Sequence, residues 1–93
     1  MNYEVVLQSD AVVDIQKAFE WYEQQRDGLG YELVEEIEDG LEKLSKHPQH
    51  YSASNQRYRK LRIKRFPYLL VFEIEDIKVI VIALNRISQA PKH

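Results

Sequence analysis

The segment "RYRKLRIKRFPY", residues 57–68, places six Lys or Arg in its first nine positions. In an extended strand, alternation sends Leu61 and Ile63 to one side and Tyr58, Lys60, Arg62 and Lys64 to the other. A row of cations with an aromatic ring beside it suits a phosphate backbone and a stacked base, and it suits an acidic peptide equally well. There is a plainer use too, since edge strands carry Lys and Arg to discourage strand addition. Other chemistries find less support. The glycines stand apart at 28, 30 and 40, so no phosphate-cradling loop is spelled out. His47 and His50 flank Pro48 with no third convergent ligand, and there is no Cys, so neither a metal site nor thiolate chemistry is expected. Ser9, Ser45, Ser52, Ser54 and Ser88 show no nucleophile elbow. The many carboxylates fall on helix surfaces, where solvated charge is the rule.

The cations stand out further against the rest of the chain. Residues 1–56 hold 12 acidic and 4 basic side chains and residues 57–93 hold 3 and 9, within a net charge of only −2. Such a split points to one surface that meets an anionic partner, or to an acidic helical half neutralising a basic sheet half.

The elements that would position these charges follow from periodicity. "YEVVLQ" forms a first strand, with Tyr3, Val5 and Leu7 on one side. Ser9 or Asp10 caps a helix that runs to about Arg26, with Ala11, Ile15, Ala18, Phe19 and Tyr22 on one face and Trp21 at its margin. Gly28 or Gly30 supplies the left-handed stop. A second helix spans about Tyr31 to Lys46, burying Leu33, Val34, Ile37, Leu41 and Leu44, with Gly40 allowing close approach of the first helix. Pro48 ends it, "QHYSASNQ" is a polar loop, and three strands follow: "YRKLRIK", "PYLLVFEI" and "KVIVIALN", the last two joined by a tight turn at Glu75-Asp76-Ile77. The expected fold is therefore α+β, in the order β-α-α-β-β-β, an antiparallel sheet with a two-helix hairpin on one face.

A sheet covered on one face should alternate apolar and polar residues. Leu69 to Phe72 and Val79 to Leu84 are instead apolar throughout. The helices can cover one side only, so the 47–57 loop, the tail "QAPKH" or a second protein must shelter the other, and a partner chain is the favoured occupant. With 93 residues and 44% hydrophobic content, residues 1–93 fit one soluble domain. No apolar run reaches the ~18 residues of a membrane span. "MNYEVVLQ" lacks the basic and apolar parts of a signal peptide, so a cytoplasmic location is expected.

Taken together, "DIQKAFEWYEQQRDGLGYEL", the "HP" after the second helix, "RFPYLLVFEI" and "VIVIALNRISQAP" resemble the RelE/ParE superfamily of bacterial toxins, also known as plasmid stabilisation proteins, over nearly the whole chain. The resemblance implies the toxin of a type II toxin–antitoxin system, working without cofactor or metal and neutralised by a cognate antitoxin that folds as it wraps the toxin. On this reading Leu69 and Val71 are antitoxin-binding candidates, and Lys60, Arg62, Lys64, Arg65 and Arg86 are target-binding candidates.

One branch of the superfamily cleaves mRNA in the ribosomal A site. That reaction needs an activated 2′-OH, stabilised charge on phosphorus and a protonated leaving oxygen. Lys60 and Arg62 match the second-strand lysines of that branch. Leu69, however, stands where that branch carries an Arg. Many relatives end in Ala-x-x-His-x-x-Arg-x-Pro, and after Ala83 this chain has Arg86 at the His position and Gln89 at the Arg position, ahead of Pro91. Arg86 stays charged near neutrality and is a poor general base. The other branch inhibits DNA gyrase and is no enzyme, and the hairpin with "WYE" and "GLG" is closer to it. The expectation is thus gyrase inhibition. The alternatives are a ribosome-dependent mRNA endonuclease with Arg62 and Arg86 as catalytic candidates, and a non-toxic antitoxin-binding module. Tyr58 and Tyr68 could serve as acid–base groups, and Tyr68 suits the core as well.

Overall fold

Strand β1 (Glu4–Leu7) leads directly into helix α1 (Ser9–Gln25). Helix α2 (Leu29–Lys46), a short 3-10 turn (Pro48–His50) and strands β2 (Arg59–Arg62), β3 (Tyr68–Glu75) and β4 (Lys78–Arg86) complete the order. These come from a computed structural model that describes residues 2–53 and 57–87. The expectations for Gln89, Pro91 and the tail "QAPKH" lie outside the described residues.

The four strands form one sheet in the order β1-β4-β3-β2. The sheet is mixed, which corrects the expectation of a purely antiparallel one: β2–β3 and β3–β4 are antiparallel, but β1 runs parallel to β4. The cause is the helical hairpin. It returns the chain to the end where β1 began, where the Tyr3 amide donates to the Ser45 carbonyl at 2.7 Å. β2 therefore starts in the direction of β1, and a three-strand meander brings β4 back to that direction again.

Both helices cover the same face of the sheet. Ala11, Ala18 and Tyr22 of α1 and Leu33, Ile37 and Leu44 of α2 are buried against Leu61, Ile63, Tyr68, Leu70, Phe72, Val79, Val81 and Leu84. Phe72, with no exposed surface, is the largest of the fully buried side chains. A bulge at Val71/Phe72 sets Ile82 as an extra residue on β4 between the Val71–Ala83 and Phe72–Val81 pairs. The bulge explains part of the apolar run: Val79, Val81 and Leu84 all reach the helix side, although strict alternation would turn Leu84 away.

Local details differ from the sequence expectations in instructive ways. Neither Ser9 nor Asp10 caps α1, because Gln8 holds the N-cap position and makes no side-chain cap bond. Gly28 takes the left-handed conformation, with φ 89°. Gly40 faces the sheet, not the first helix: a Cβ there would lie 3.1 Å from both Leu61 and Leu70. Gly30 is the residue that admits α1, since a Cβ on it would come within 2.6 Å of the Phe19 carbonyl oxygen. β2 is shorter than the expected 58–64. After Arg62 the chain turns through Arg65, at φ 71°, and the Ile63 amide reaches the Tyr68 carbonyl at 3.1 Å. Lys64 therefore sits on the connection, outside the strand.

Candidate functional site

The face that carries no helix among the described residues, called the helix-free face below, is built by period-two alternation on β2, β3 and β4. Lys60 pairs with Val71 and Arg62 with Leu69. Leu69 and Val71 in turn pair with Asn85 and Ala83. Lys60, Arg62, Leu69 and Val71 thus share one surface, a pair of cations on the edge strand beside an apolar strip. Lys60 and Arg62 are exposed, Leu69, Ile80, Ile82 and Ala83 are half-buried, and Val71 is the most covered at 9%. Among the described residues, neither Lys60 nor Arg62 has an ion-pair partner. Glu73, one turn of alternation beyond Val71, adds a carboxylate that pairs with Arg57 at 3.4 Å. Arg57 also sits 5.4 Å from the centre of the Tyr58 ring. Sequence reasoning missed Glu73, although its position two residues after Val71 already assigned it to this face.

The remaining cations of the segment point elsewhere. Arg59 donates to the carbonyls of Tyr51, at 2.8 Å, and Gln49, and so pins the 3-10 turn. The outer side of β2 is further held by the Ala53–Arg59 bridge and by the Lys60 amide donating to the Ser52 carbonyl. Arg65 donates to Glu32 Oε1 at 2.6 Å and lies 3.7 Å from Glu36. Glu32 is also held by Arg26 at 3.1 Å. Hydrogen bonds from Arg65 first and Arg26 second hold the Glu32 carboxyl below its ordinary range. Arg65 is therefore engaged by the protein's own carboxylates and does not join Lys60 and Arg62.

Arg86 is separated from them more decisively. It pairs with Tyr68, the helix-facing residue of β3, whereas Arg62 pairs with Leu69 on the opposite face. Its guanidinium lies 5.9 Å from the ring centres of both Trp21 and Tyr68 and donates to Tyr22 Oη at 3.4 Å. Two strand spacings across β3 amount to roughly 10 Å even before the change of face. The two catalytic candidates, Arg62 and Arg86, are not brought together. Tyr68 is 8% exposed, and burial pushes its phenol above the usual range, an effect partly offset by Arg86. Such a group does not give up its proton near neutrality. His47 and His50 stack on each other with ring centres 4.8 Å apart. Among the described residues no group of three or more His, Cys, Asp or Glu converges.

Two half-buried carboxylate roles escaped the sequence reading. Glu23 of α1 accepts from the amides of Gly28 and Gly30, at 2.8 and 2.9 Å, and so caps the start of α2. Asp14 accepts from the Leu84 amide at 3.1 Å, beside the β4 bulge. Both are contacts between elements distant in sequence or across a turn, and composition carries no signal for them.

Comparison with known proteins places this arrangement. A family model described as the ParE toxin of the type II toxin–antitoxin system parDE matches residues 5–91. The structure is similar to one from the chromosomal ParDE toxin–antitoxin system of P. aeruginosa, with a TM-score of 0.82 and 13% identity, covering 92% of this chain and 97% of that one. It is also similar to the isolated E. coli RelE toxin, with a TM-score of 0.69 and 17% identity, covering 95% and 87%. No curated protein sequence gives a match.

Proposed function

Because this chain belongs to the ParE toxin family of type II toxin–antitoxin systems, we propose that its helix-free sheet face is the working surface of a cytoplasmic toxin domain spanning residues 1–93. Lys60 and Arg62 engage the target, whereas Lys64, on the connection after β2 and beside Lys43 of α2, stands apart from them. Leu69 and Val71 seat the antitoxin. Because the two sets are cross-strand neighbours, an antitoxin segment lying on the apolar strip covers the cations as well. One surface then serves both toxicity and its neutralisation.

The target in this reading is DNA gyrase, inhibited by binding. The observation that carries it is the separation of Arg62 and Arg86 by the thickness of the sheet. General acid–base cleavage of RNA requires its groups within hydrogen-bond reach of one phosphodiester, and the strongest cation pair for that task is split between two faces. Tyr68, the aromatic candidate beside Arg86, is buried and holds its proton. A binding surface has no such requirement.

Two assays on the purified protein test this. In a supercoiling assay the protein is expected to inhibit gyrase, and the Lys60→Ala/Arg62→Ala variant to lose that inhibition. Gyrase left untouched by the wild type, together with mRNA cut on translating ribosomes, would overturn the reading in favour of the nuclease. Unimpeded growth on induction without any antitoxin would overturn both in favour of a non-toxic antitoxin-binding module.

A further inference from the structure

Arg86 and Trp21 form a second exposed site on the helix-covered side, across the sheet and on the opposite face from Lys60 and Arg62. Trp21 is 50% exposed although it lies on a helix whose inner face is buried. Its ring is not loose: it meets Tyr22 edge-on, with centres 4.8 Å apart, and Tyr22 in turn packs against Phe66 and Tyr68. Arg86 is held among three aromatic rings by its contacts to Trp21, Tyr68 and the Tyr22 hydroxyl. These neighbours fix the guanidinium in place but do not neutralise it. Among the described residues no carboxylate lies within ion-pair distance of Arg86, and residues 54–56 and 88–93 contain no Asp or Glu.

Other charged side chains on the same side of the molecule behave differently. Arg26 and Arg65 share Glu32, and Lys43 pairs with Asp39 at 3.1 Å. Arg86 is thus a cation set in position, beside a half-exposed indole, and left without a counter-ion. A planar donor fork with its rotamer already fixed loses little entropy on accepting a carboxylate. The adjoining indole offers rigid apolar area of the kind that anchors protein interfaces.

We propose that Trp21 and Arg86 form a docking site for a protein segment that presents a carboxylate next to an aromatic or branched apolar side chain. The carboxylate takes the free edge of the Arg86 guanidinium, and the apolar side chain packs on Trp21. Nucleic acid is the weaker match. Tight backbone binding needs many neutralised phosphates, whereas this site offers one cation. The helices around it, residues 9–46, carry 11 acidic against 4 basic side chains. A single carboxylate on a short segment meets the cation without running along that acidic surface. The inference does not depend on which target the helix-free face engages.

Trp21 is the only Trp in the sequence, so its emission reports on this site alone. The test is a random-peptide display selection on the intact chain and, in parallel, on Arg86→Gln. Selected peptides are then titrated against Trp21 fluorescence. The expected peptides carry Asp or Glu close to an aromatic or branched apolar residue and shift the emission saturably. Changing their Asp to Asn, or Arg86 to Gln, is expected to weaken binding about tenfold, while Lys60→Ala/Arg62→Ala leaves it unchanged. A circular-dichroism melt confirms that Arg86→Gln is folded, and Arg86→Lys is expected to retain part of the affinity. The proposal is overturned by peptides that bind Arg86→Gln equally well, by selections that yield no acidic–apolar pattern, by binders that leave Trp21 emission unchanged, or by an oligothymidylate that shifts Trp21 emission of the Lys60→Ala/Arg62→Ala variant at lower concentration than the peptides do.

Discussion

The two faces of the sheet use the same residue types for opposite ends. On the helix-covered side every described Arg of the basic segment is occupied: Arg59 by backbone carbonyls, Arg65 by Glu32 and Glu36. On the helix-free side Lys60 and Arg62 flank an apolar strip with no ion-pair partner among the described residues. The cationic run is thus divided by strand alternation and by the turn after β2. Arg59 and Arg65 fasten the fold and Arg57 pairs with Glu73, whereas Lys60 and Arg62 are the cations that the proposed function assigns to a partner. The difference teaches that charge clustering alone does not define a functional patch. What matters is which cations the protein's own acceptors have already claimed.

Substitutions on the two faces should therefore fail in different ways, and the largest loss of stability belongs to the covered side. Phe72→Ala removes a side chain with no exposed surface and is expected to cost about 3–5 kcal/mol, read as a lower urea midpoint. Leu69→Ala, three residues earlier on β3 and on the other face, should cost clearly less and should weaken antitoxin binding instead. A midpoint for Leu69→Ala as low as that for Phe72→Ala would break the comparison.

Next come the carboxylates that brace the helices. Glu23→Ala leaves the amides of Gly28 and Gly30 without their acceptor, and Asp14→Ala does the same to Leu84. Each is expected to cost about 1–3 kcal/mol, with Glu23 the larger because it serves two donors. Chemical denaturation checks the order. Equal stability of either variant and the wild type would show that solvent satisfies these amides.

The smallest effect is that of pH on the Glu32 cluster. The folded-state pKa of Glu32 is depressed by Arg65 and Arg26. Its contribution to stability is therefore fully present above the unfolded value near 4.5 and is lost as pH falls through the lower folded value. The cluster is solvent-exposed, so the loss on acidification should be small and should shrink in high salt. Glu32→Gln should remove this part of the acid dependence. An unchanged pH profile in that variant would mean the ion pairs contribute nothing.

Much of the fold was legible because its signals are local and periodic. The inner arcs of both helices, the Gly28 stop, the Asp76 turn and the β-α-α-β-β-β order all follow from patterns within about 15 residues. The parallel pairing of β1 with β4 was not legible, because strand direction at the edge depends on where the helical hairpin returns the chain. Gly40 was assigned to the wrong neighbour for a similar reason. Its place beside an apolar arc says that something approaches closely, but not which element does. At the site, alternation correctly placed Lys60 and Arg62 together and opposite Leu61. The β4 bulge falsified simple counting beyond Ile82, and Arg86 lies past it, so its side of the sheet could only be read from three-dimensional register. Arg65 was likewise misgrouped, because the turn that redirects it begins one residue after β2 ends.

The measurement that bears most directly on the division between the two faces pairs growth arrest with thermal unfolding for Lys60→Ala/Arg62→Ala. If these cations are reserved for a partner, induction of the variant no longer arrests growth, and its melting temperature stays within about 4 °C of the wild type. A folded, soluble variant that arrests growth as fully as the wild type would contradict the account.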